Sequence, residues 1–379
     1  MAPFKAIYLT STGDITIKTI PSPYQPHGSQ TLIRVDYSGI NPGDFRHFYM
    51  GMHSFVMGYD FVGTVISTGP DSSFQPGDSV LGMTKPGHNR PSHLGAHQAY
   101  LLAESSYLLW RRPESLSPLS AVRLPSAAQT AADALFNVLG FAFPPLADSD
   151  TVSGIDPCNN AILIWGGAGS VGHAAVQLAS AAGFSAILVT ASEMNHALLK
   201  DAGATHCFDY RVGDAVVAEQ IREAVRELGI PLKAIFDAVG KGLGVFEPPG
   251  VTTGNYADSS CAIAKRCLSD EVLAAGSGPD GYRLCCVLPV LQDSEWLFAL
   301  YSRKHDAEQE REYPGWWQRQ ERIVTWLVEN HETVWKPLLP RPRVVNDSTS
   351  ALEAIRGSFE GKLERSSFDT PWCDAVSGF

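Results

Sequence analysis

The sequence predicts an α/β protein with a doubly wound parallel sheet and a second, mainly β domain. Residues 1–110 contain short alternating or apolar runs separated by Gly and Pro, a pattern typical of a partly closed β domain. From residue 161 onward, apolar runs alternate with segments of helical periodicity, as expected for parallel strands joined by helices. A chain of 379 residues is long enough for two cores.

The first part is expected to be built from strands and tight turns. Alternation predicts strands within Leu32–Tyr37 and Phe61–Ile66, and the turn Gln75–Asp78 leads into a further strand at Ser79–Gly82. Alanine-rich periodicity then predicts a helix from Ser126 to Leu139. The polar connection from Pro144 to Asn160 is expected to be an exposed loop between domains.

The second part alternates between the two element types, and its predicted bounds set the domain organisation. The predicted strands are 161–165, 186–190, 233–237 and 283–289, and the predicted helices are 171–182, 194–202 and 214–228. Segment 242–282 is rich in Gly, Ser and Pro and shows little periodicity. After the predicted helix Trp316–Asn330, the tail is expected to return to the first domain. The expected domains are therefore 1–150, 151–315 and a C-terminal return over 316–379.

Composition excludes several classes of function. The net charge of −11 argues against binding to nucleic acid or anionic membranes. No run approaches the roughly 18 apolar residues of a membrane span, and the N-terminus lacks the features of a signal peptide. The seven cysteines are odd in number and contain no C-x-x-C, so we expect reduced, mostly buried thiols in a cytoplasmic protein.

The strongest motif joins the first strand of the second part to its helix. Gly167, Gly169 and Gly172 fit the pattern G-x-G-x-x-G after the apolar run Ile162–Trp165. In this context the glycines allow a tight turn, close approach of a pyrophosphate, and close packing of helix on strand. We therefore predict a dinucleotide site lined by Gly167–Gly172, including Ala168, Ser170 and Val171. The alternative is a purely structural glycine turn.

Further motifs resemble one superfamily. Gly39–Asp44 is similar to the G-x-N-P-x-D segment of quinone oxidoreductases and enoyl reductases, and Gly58–Val65 and Phe74–Val80 are similar to the next two signatures. Leu135–Phe141 and Phe208–Arg211 resemble segments of fungal trans-acting enoyl reductases of polyketide biosynthesis. The chain thus resembles the zinc-independent medium-chain dehydrogenase/reductase superfamily, which implies a Rossmann domain and a GroES-like substrate domain.

The resemblance implies a protein without zinc. Zinc-dependent members place a Cys near the position of Asn41 and a His-Glu pair near Tyr59 and Asp60, whereas this chain has no Cys before Cys158. A tetrahedral N/S site cannot be assembled from such residues. Without a Lewis acid, conjugate reduction is favoured over carbonyl reduction. Tyr59 either fills the space of the lost ligand or has a role in the site.

The turn after the second strand indicates the cofactor. An NAD-binding site usually has an acid at this strand end, whereas this strand ends in Thr190-Ala191-Ser192. The enoyl reductases resembled here hold the 2′-phosphate with residues matching Ser192, Asn195 and Tyr210, so NADPH is the expected cofactor. Glu193 would repel a phosphate if it pointed inward, and Ser192 is alternatively only a helix N-cap.

The segment Gly43–Arg46 corresponds to one that lies beside the nicotinamide in the resembled family. Its members Gly43, Asp44, Phe45 and Arg46 are predicted to contact the cofactor, and Arg46 is a candidate catalytic residue for a thioester carbonyl. Alternatively, Arg46 is a surface arginine paired to Asp44. His47 is interpreted as a solvated histidine rather than a proton donor.

A second segment is implied to face the substrate. Gln129 and Thr130 match the start of the family's substrate-facing helix, with Thr130 near the nicotinamide amide and a candidate catalytic residue; the alternative is a plain helix N-terminus. No residue stands out as the general acid, since solvent can protonate an enolate.

These residues predict an NADPH-dependent ene reductase acting on an α,β-unsaturated carbonyl. The expected substrate is a small molecule or a polyketide chain bound to a carrier protein, and the expected partner is a polyketide synthase. The alternatives are a reductase of free quinones or enones and a non-reductive scaffold that keeps the fold. The divergence after Val239 leaves the substrate open, and the chain is expected to be a monomer or homodimer.

Overall fold

The computed structural model describes residues 3–21, 24–146, 154–247, 254–278, 281–303, 306–336, 344–345, 348–360 and 375–376. The strands are β1 (Phe4–Leu9), β2 (Ile15–Ile20), β3 (Gln30–Gly39), β4 (Phe55–Val56), β5 (Asp60–Thr68), β6 (Ser79–Met83), β7 (Tyr100–Glu104), β8 (Leu109–Arg111), β9 (Ala161–Trp165), β10 (Ala186–Thr190), β11 (His206–Phe208), β12 (Leu232–Asp237), β13 (Arg283–Cys286), β14 (Trp296–Phe298), β15 (Val344–Val345) and β16 (Ala375–Val376). The helices are α1 (Gly43–Tyr49), α2 (Pro118–Ala121), α3 (Pro125–Ala132), α4 (Ser170–Ala182), α5 (His196–Asp201), α6 (Asp214–Leu228), α7 (Ser260–Lys265), α8 (Asp270–Ala275), α9 (Ala307–Glu312), α10 (Trp316–Glu329), α11 (His331–Val334) and α12 (Ser348–Glu360). Within these ranges, no helix has both the length and the apolar character needed to cross a membrane.

The chain forms two compact units. The first unit contains Met1–Ser126, Phe246–Pro248 and Leu339–Phe379, and the second contains Ala127–Val245 and Pro249–Leu338. The units thus divide after Ser126, whereas the boundary expected from the sequence follows residue 150. The domain bounds 1–150, 151–315 and 316–379 remain a prediction.

The first unit is built from two mainly antiparallel sheets, in which β15 and β16 form a parallel pair. One sheet has the order β2-β1-β4, and the other has the order β15-β16-β3-β5-β6-β8, with β7 also paired to β3. The predicted strands Leu32–Tyr37 and Phe61–Ile66 lie within β3 and β5, which pair antiparallel. Their inward residues, Ile33, Phe61 and Val65, form one core cluster with Val80 and Leu101.

The C-terminal segment packs in the first unit. Strand β16 pairs antiparallel with β3, with Ala375 opposite Gly39. Ala351, Ala354 and Ile355 of α12 share a core cluster with Ile7 and Leu9 of β1. Small and apolar residues at helical spacing therefore bury one face of α12 against the first strand.

The second unit contains the predicted parallel sheet, which confirms the fold class. Its six strands have the order β11-β10-β9-β12-β13-β14, and every pairing along this path is parallel. All five residues of the central strand β9 are buried, as expected for a strand covered by helices on both faces. Because β9 and β10 run parallel, the turns that follow them lie at the same edge of the sheet.

Most predicted elements of this unit agree with the structure within a residue or two. The strand predicted over 283–289 ends earlier, at Cys286, opposite Asp237, where the neighbouring strand β12 also ends. Segment 242–282, which shows little periodicity, contains the short helices α7 and α8. Both begin with a serine N-cap, Ser259 and Ser269, whose hydroxyl accepts a backbone N–H.

The range predicted as one helix, Ser126 to Leu139, is helical in the structure, but the type of helix changes within it. Helix α3 ends at Ala132 and continues as a π-helix over Asp133–Val138. Asp133 is fully buried and accepts two hydrogen bonds from the Arg303 guanidinium, at 2.6 and 3.0 Å, and one from the amide of Leu300. We attribute the wider turn to this buried pair, since local sequence favours an ordinary helix.

Candidate functional site

The glycine turn lies at the carboxyl end of β9. The amides of Gly166 and Gly167 bond to the carbonyl of Thr190, at 3.2 and 3.0 Å, and the Thr190 hydroxyl also accepts from Gly166. The amide of Gly169 then bonds back to the carbonyl of Gly166 at 3.2 Å. The turn that follows β9 is therefore also fixed to the end of β10 before α4 begins at Ser170.

The three motif glycines have different surroundings. A Cβ atom on Gly167 would lie 2.1 Å from Cγ1 of Val189, and one on Gly172 would lie 2.3 Å from the carbonyl oxygen of Gly166. A Cβ on Gly169 would meet only that same oxygen, at an ordinary 3.6 Å. Gly167 and Gly172 are thus required by packing, whereas the side of Gly169 that would carry a Cβ is open.

The open side coincides with the start of a helix. Ala168, Gly169, Ser170 and Val171 are partly exposed, while Gly167 and Gly172 are buried. The first N–H groups of α4 have no acceptor within the helix, and the helix dipole places partial positive charge there. An anionic group at Gly169 would meet these donors, so the turn has the shape and polarity that a pyrophosphate requires.

The turn after β10 contains the residues predicted to bind the 2′-phosphate. Ser192 is the N-cap of a 3-10 turn but makes no side-chain capping bond. Its hydroxyl instead accepts a hydrogen bond from the side-chain Nδ2 of Asn195 at 2.8 Å. Both side chains are buried, whereas Glu193 is exposed and Tyr210 is 42% exposed. Ser192 thus occupies an N-cap position, but its hydroxyl does not cap the turn, so the alternative of a purely capping side chain is wrong.

Arg211 beside Tyr210 is paired within this region. Its guanidinium donates to both carboxylate oxygens of Asp209, at 2.8–3.1 Å. These bonds hold the pKa of Asp209 down at about 2. Because half of the Arg211 side chain is exposed, the pair is weak and open to a competing anion.

Gln129 and Thr130 lie on α3 and are both buried, at 0% and 8% exposure. The backbone carbonyl of Gln129 accepts a 2.7 Å bond from the side-chain amide of Gln320 on α10. The side-chain amide of Gln129 has no hydrogen-bond partner among the described residues. Gln320, which lies 191 positions away, was not singled out by any sequence pattern.

In the first unit, α1 is fixed by a buried polar network. Oδ2 of Asp44 accepts from the Asn41 amide at 2.7 Å and lies 3.4 Å from Nε2 of His97, whose Nδ1 is 2.8 Å from the Ser38 hydroxyl. Asp44 and His97 are both fully buried. The carboxylate of Asp44 thus holds the start of α1 in place, and a cofactor contact at this position would fall to the backbone.

A second buried carboxylate, Asp60, extends this network. It accepts from the side chain of Asn41 at 2.9 Å and from both the amide and the hydroxyl of Ser126, at 3.1 and 2.6 Å. Burial raises the pKa of Asp60 to about 7 despite these hydrogen bonds. Asn41 and Asp60 are thus bonded to each other through their side chains.

The interpretation of His47 as a solvated histidine is wrong. His47 is 7% exposed, and its Nδ1 lies 2.6 Å from the hydroxyl of Tyr59, which is also buried. Burial lowers the pKa of His47 to about 4, so the ring is neutral near pH 7, and burial raises the pKa of Tyr59. The Arg90 guanidinium lies 4.4 Å from the centre of the Tyr59 ring. Tyr59 thus holds His47 as well as filling space.

The exposed part of α1 carries Phe45 and Arg46. A guanidinium nitrogen of Arg46 lies 3.6 Å from a carboxylate oxygen of Glu247, and both side chains are about a quarter exposed. Arg46 thus pairs with Glu247, a partner that the sequence did not indicate. The carboxylate of Asp44 contacts Asn41 and His97. Phe45 packs against Phe48 and Tyr49, with ring centres 6.1 and 5.8 Å apart.

One buried group in the second unit has side chains of metal-ligand type. Asp237, Cys261 and Cys286 bring one ligand atom each to within 4.8 Å of one another. The Asp237 carboxylate already accepts from the amides of Val239 and Gly240, from Ser260 and from Cys261, at 2.5–3.1 Å. Burial raises the pKa of Cys261 and of Asp237, which favours their neutral forms. Hydrogen bonding thus satisfies this group as it stands.

Two protein families match separate parts of the chain. The family described as "Alcohol dehydrogenase GroES-like domain" matches residues 27–112, and the family described as "Zinc-binding dehydrogenase" matches residues 170–245. The first match lies in the unit of antiparallel sheets, and the second begins within the glycine turn.

Curated relatives are fungal. "Trans-enoyl reductase himH" of Aspergillus japonicus is 32% identical over 192 residues, which cover 49% of this chain and 54% of that protein. "Dehydrogenase orsE" of Emericella nidulans is 30% identical over 261 residues, covering 63% of this chain and 71% of that protein. The chain thus spans about half the length of the first of these relatives.

Solved structures share the whole fold. The structure titled "The native structure of mycobacterial Rv1454c complexed with NADPH" has a TM-score of 0.62 at 20% identity and covers 99% of each chain. At this identity the likeness concerns the fold alone.

Proposed function

Because the chain belongs to the medium-chain dehydrogenase/reductase superfamily and is similar to its fungal trans-enoyl reductases, we propose that it is an NADPH-dependent enoyl reductase. The proposed reaction reduces the double bond of an α,β-unsaturated carbonyl. The β-carbon gains a hydride, the electron pair of the double bond moves toward the carbonyl oxygen, and the α-carbon then gains a proton from solvent.

The observation that carries this proposal is the open glycine turn. Two of its glycines are required by packing, whereas Gly169 is free of close neighbours and stands at the start of α4. A structural turn alone gives no reason for a glycine at that position. A dinucleotide does, since its pyrophosphate must approach the backbone and the helix N-terminus. The residues Gly167–Gly172 therefore fit the cofactor.

We propose NADPH rather than NADH. At the end of β10, Ser192 and Asn195 bond to each other and the Glu193 side chain is exposed, so this turn offers hydroxyl and amide groups to a ligand. Ser192, Asn195 and the partly exposed Tyr210 would hold the 2′-phosphate. Bound NADPH would supply the hydride. The mycobacterial protein of similar fold was solved with NADPH.

The chain's own residues would orient the substrate and stabilise charge. Arg46, partly exposed on a helix fixed by Asp44, would place positive charge near the carbonyl oxygen as it becomes negative. Thr130 would lie near the nicotinamide amide. Phe45 and Gly43 would pack against the cofactor.

We propose that the reaction proceeds without zinc. Asn41 and Asp60 bond to each other and Tyr59 bonds to His47, so these side chains serve a hydrogen-bonded network rather than an ion.

For the substrate we propose a polyketide or polyketide–peptide chain held as a thioester on a carrier protein, with a polyketide synthase as partner. The names of the fungal relatives support this class. Enoyl thioesters on a carrier protein should then be reduced faster than the matching free enones. Equal or faster turnover of free enones or quinones would favour a reductase of small molecules instead.

The first test is cofactor binding measured by fluorescence titration with NADPH and NADH. We expect NADPH to bind more tightly, and we expect Gly169→Asp to abolish binding because its carboxylate would occupy the phosphate position. Gly254→Asp is the matched control, because a Cβ on this exposed glycine meets no atom within 4 Å. Absence of binding to either nucleotide by the wild-type protein would leave the non-reductive scaffold as the better account.

A further inference from the structure

The edge of the sheet that carries the glycine turn also carries two buried glutamine side chains, some of whose polar atoms have no hydrogen-bond partner among the described residues. In a parallel sheet, ligands bind beyond the carboxyl ends of the strands. The glycine turn follows β9, and Leu300 comes two residues after the end of β14 on the other half of the sheet. The amide of Leu300 bonds to Asp133, just after α3, and its carbonyl lies 3.4 Å from the side-chain nitrogen of Gln320. Gln129 and Gln320 therefore belong to this edge.

The set of unused hydrogen-bonding atoms on these two side chains has three members. Nε2 and Oε1 of Gln129 and Oε1 of Gln320 are buried and have no hydrogen-bond partner among the described residues. Nε2 of Gln320 is used, since it donates to the carbonyl of Gln129 at 2.7 Å. The set thus offers one donor group and two acceptors. A buried amide without partners costs free energy, roughly 1–3 kcal/mol.

A primary carboxamide is the complement of this set. Its carbonyl accepts from Nε2 of Gln129, and its two N–H groups can donate to the two glutamine oxygens. The nicotinamide ring carries such a carboxamide. On the basis of the proposed function, we propose that Gln129, together with Gln320, binds the carboxamide of the nicotinamide, rather than the substrate contact that family resemblance implies for Gln129.

The competing explanation is an internal water molecule that serves only the fold. Buried waters commonly satisfy such groups with two to four hydrogen bonds. The two explanations differ in what Gln129 does for the ligand, so a shape-matched replacement separates them. Methionine has nearly the length of glutamine without its amide, and Gln129→Met is therefore the test variant.

The experiment measures the affinity of three ligands by calorimetry. NADP⁺ carries the carboxamide, its 3-acetylpyridine analogue has a methyl group in place of the NH₂, and adenosine 2′,5′-bisphosphate lacks the ring entirely. Wild-type protein should bind the analogue about tenfold more weakly than NADP⁺, as expected for the loss of one or two hydrogen bonds. Gln129→Met should bind NADP⁺ about tenfold more weakly and lose the discrimination, while the bisphosphate affinity stays unchanged.

Gln177 provides the matched control. It is also buried in the second unit, but its amide is used, since Oε1 accepts from Lys336 and Nε2 donates to His173. Gln177→Met should lower the melting temperature and keep the discrimination. Gln129→Met should leave the melting temperature of the ligand-free protein unchanged or raise it, because it removes an unpaired amide.

Three results would decide the matter. Full discrimination retained by Gln129→Met, or a lowered melting temperature with unchanged affinities, would overturn the proposal and leave the internal water. If Gln129→Met does not fold, Gln129→Leu replaces it with the same expectations. Failure of the wild-type protein to bind NADP⁺ and the bisphosphate would overturn the proposed function itself, which is a separate outcome.

Discussion

Gly169→Ala and Gly172→Ala should separate binding from stability within one motif. The added Cβ at position 172 would lie 2.3 Å from the carbonyl oxygen of Gly166 and 2.9 Å from Cα of Gly167, both backbone atoms that cannot rotate away. The turn would have to shift, and overpacking of this kind costs about 1–3 kcal/mol. At position 169 the nearest atom is 3.6 Å away and the backbone angles, −73° and 159°, suit alanine. Gly169→Ala should therefore change the free energy of unfolding by less than about 1 kcal/mol.

For Gly169→Ala we expect the affinity for NADPH to change rather than the stability. Its Cβ would stand where a pyrophosphate oxygen approaches, and we expect at least tenfold weaker NADPH binding, about 1.4 kcal/mol. Urea unfolding and NADPH titration on the same two preparations test both quantities. Unchanged affinity in Gly169→Ala, in a protein whose wild type binds NADPH, would refute the assignment of Gly169 to the phosphate. Wild-type stability in Gly172→Ala would refute the packing argument.

Three further outcomes follow from the structure. The pKa of His47 lies near 4 in the folded protein and near 6.5 when unfolded, so the folded protein binds fewer protons and its stability falls as the pH drops through this window. Between pH 8 and 5 the loss of stability should be about 2 kcal/mol, measured by urea unfolding as the difference between wild type and His47→Gln. Asp133→Ala should cost roughly 3–5 kcal/mol in the same assay, because Arg303 would be left buried without its partner. Ser192→Ala should weaken NADPH binding several-fold and leave NADH binding unchanged, and equal losses for both nucleotides would contradict its assignment to the 2′-phosphate.

The parts of the fold that local sequence determines could be predicted. Strand β9, the glycine turn and α4 follow each other within 22 residues, and each has its own signal: a buried apolar run, glycines at fixed spacing, and helical periodicity. Their bounds agree with the structure to within one residue. The alternation in β3 and β5 was equally visible because each strand keeps one face in the core.

The parts that depend on distant partners could not be predicted. The π-helix after Ala132, which we attribute to the bond between Asp133 and Arg303, involves residues that are 170 positions apart. The buried ring of His47 contacts the hydroxyl of Tyr59, and the backbone carbonyl of Gln129 accepts from Gln320 on α10, 191 positions away. No local pattern contains these pairs. Sequence could name Gln129 only through a family resemblance, and could not say which of its atoms lack partners.

The most direct test of the central claim is isotope transfer from NADPH that carries deuterium at both C4 positions of the reduced ring. The protein would be incubated with this cofactor and an α,β-unsaturated acyl thioester on a carrier protein, and the product analysed by mass spectrometry and NMR. An enoyl reductase should place one deuterium on the β-carbon, with the proton at the α-carbon coming from solvent. A product without deuterium at the β-carbon, or no oxidation of NADPH with any enoyl thioester or enone, would contradict the account.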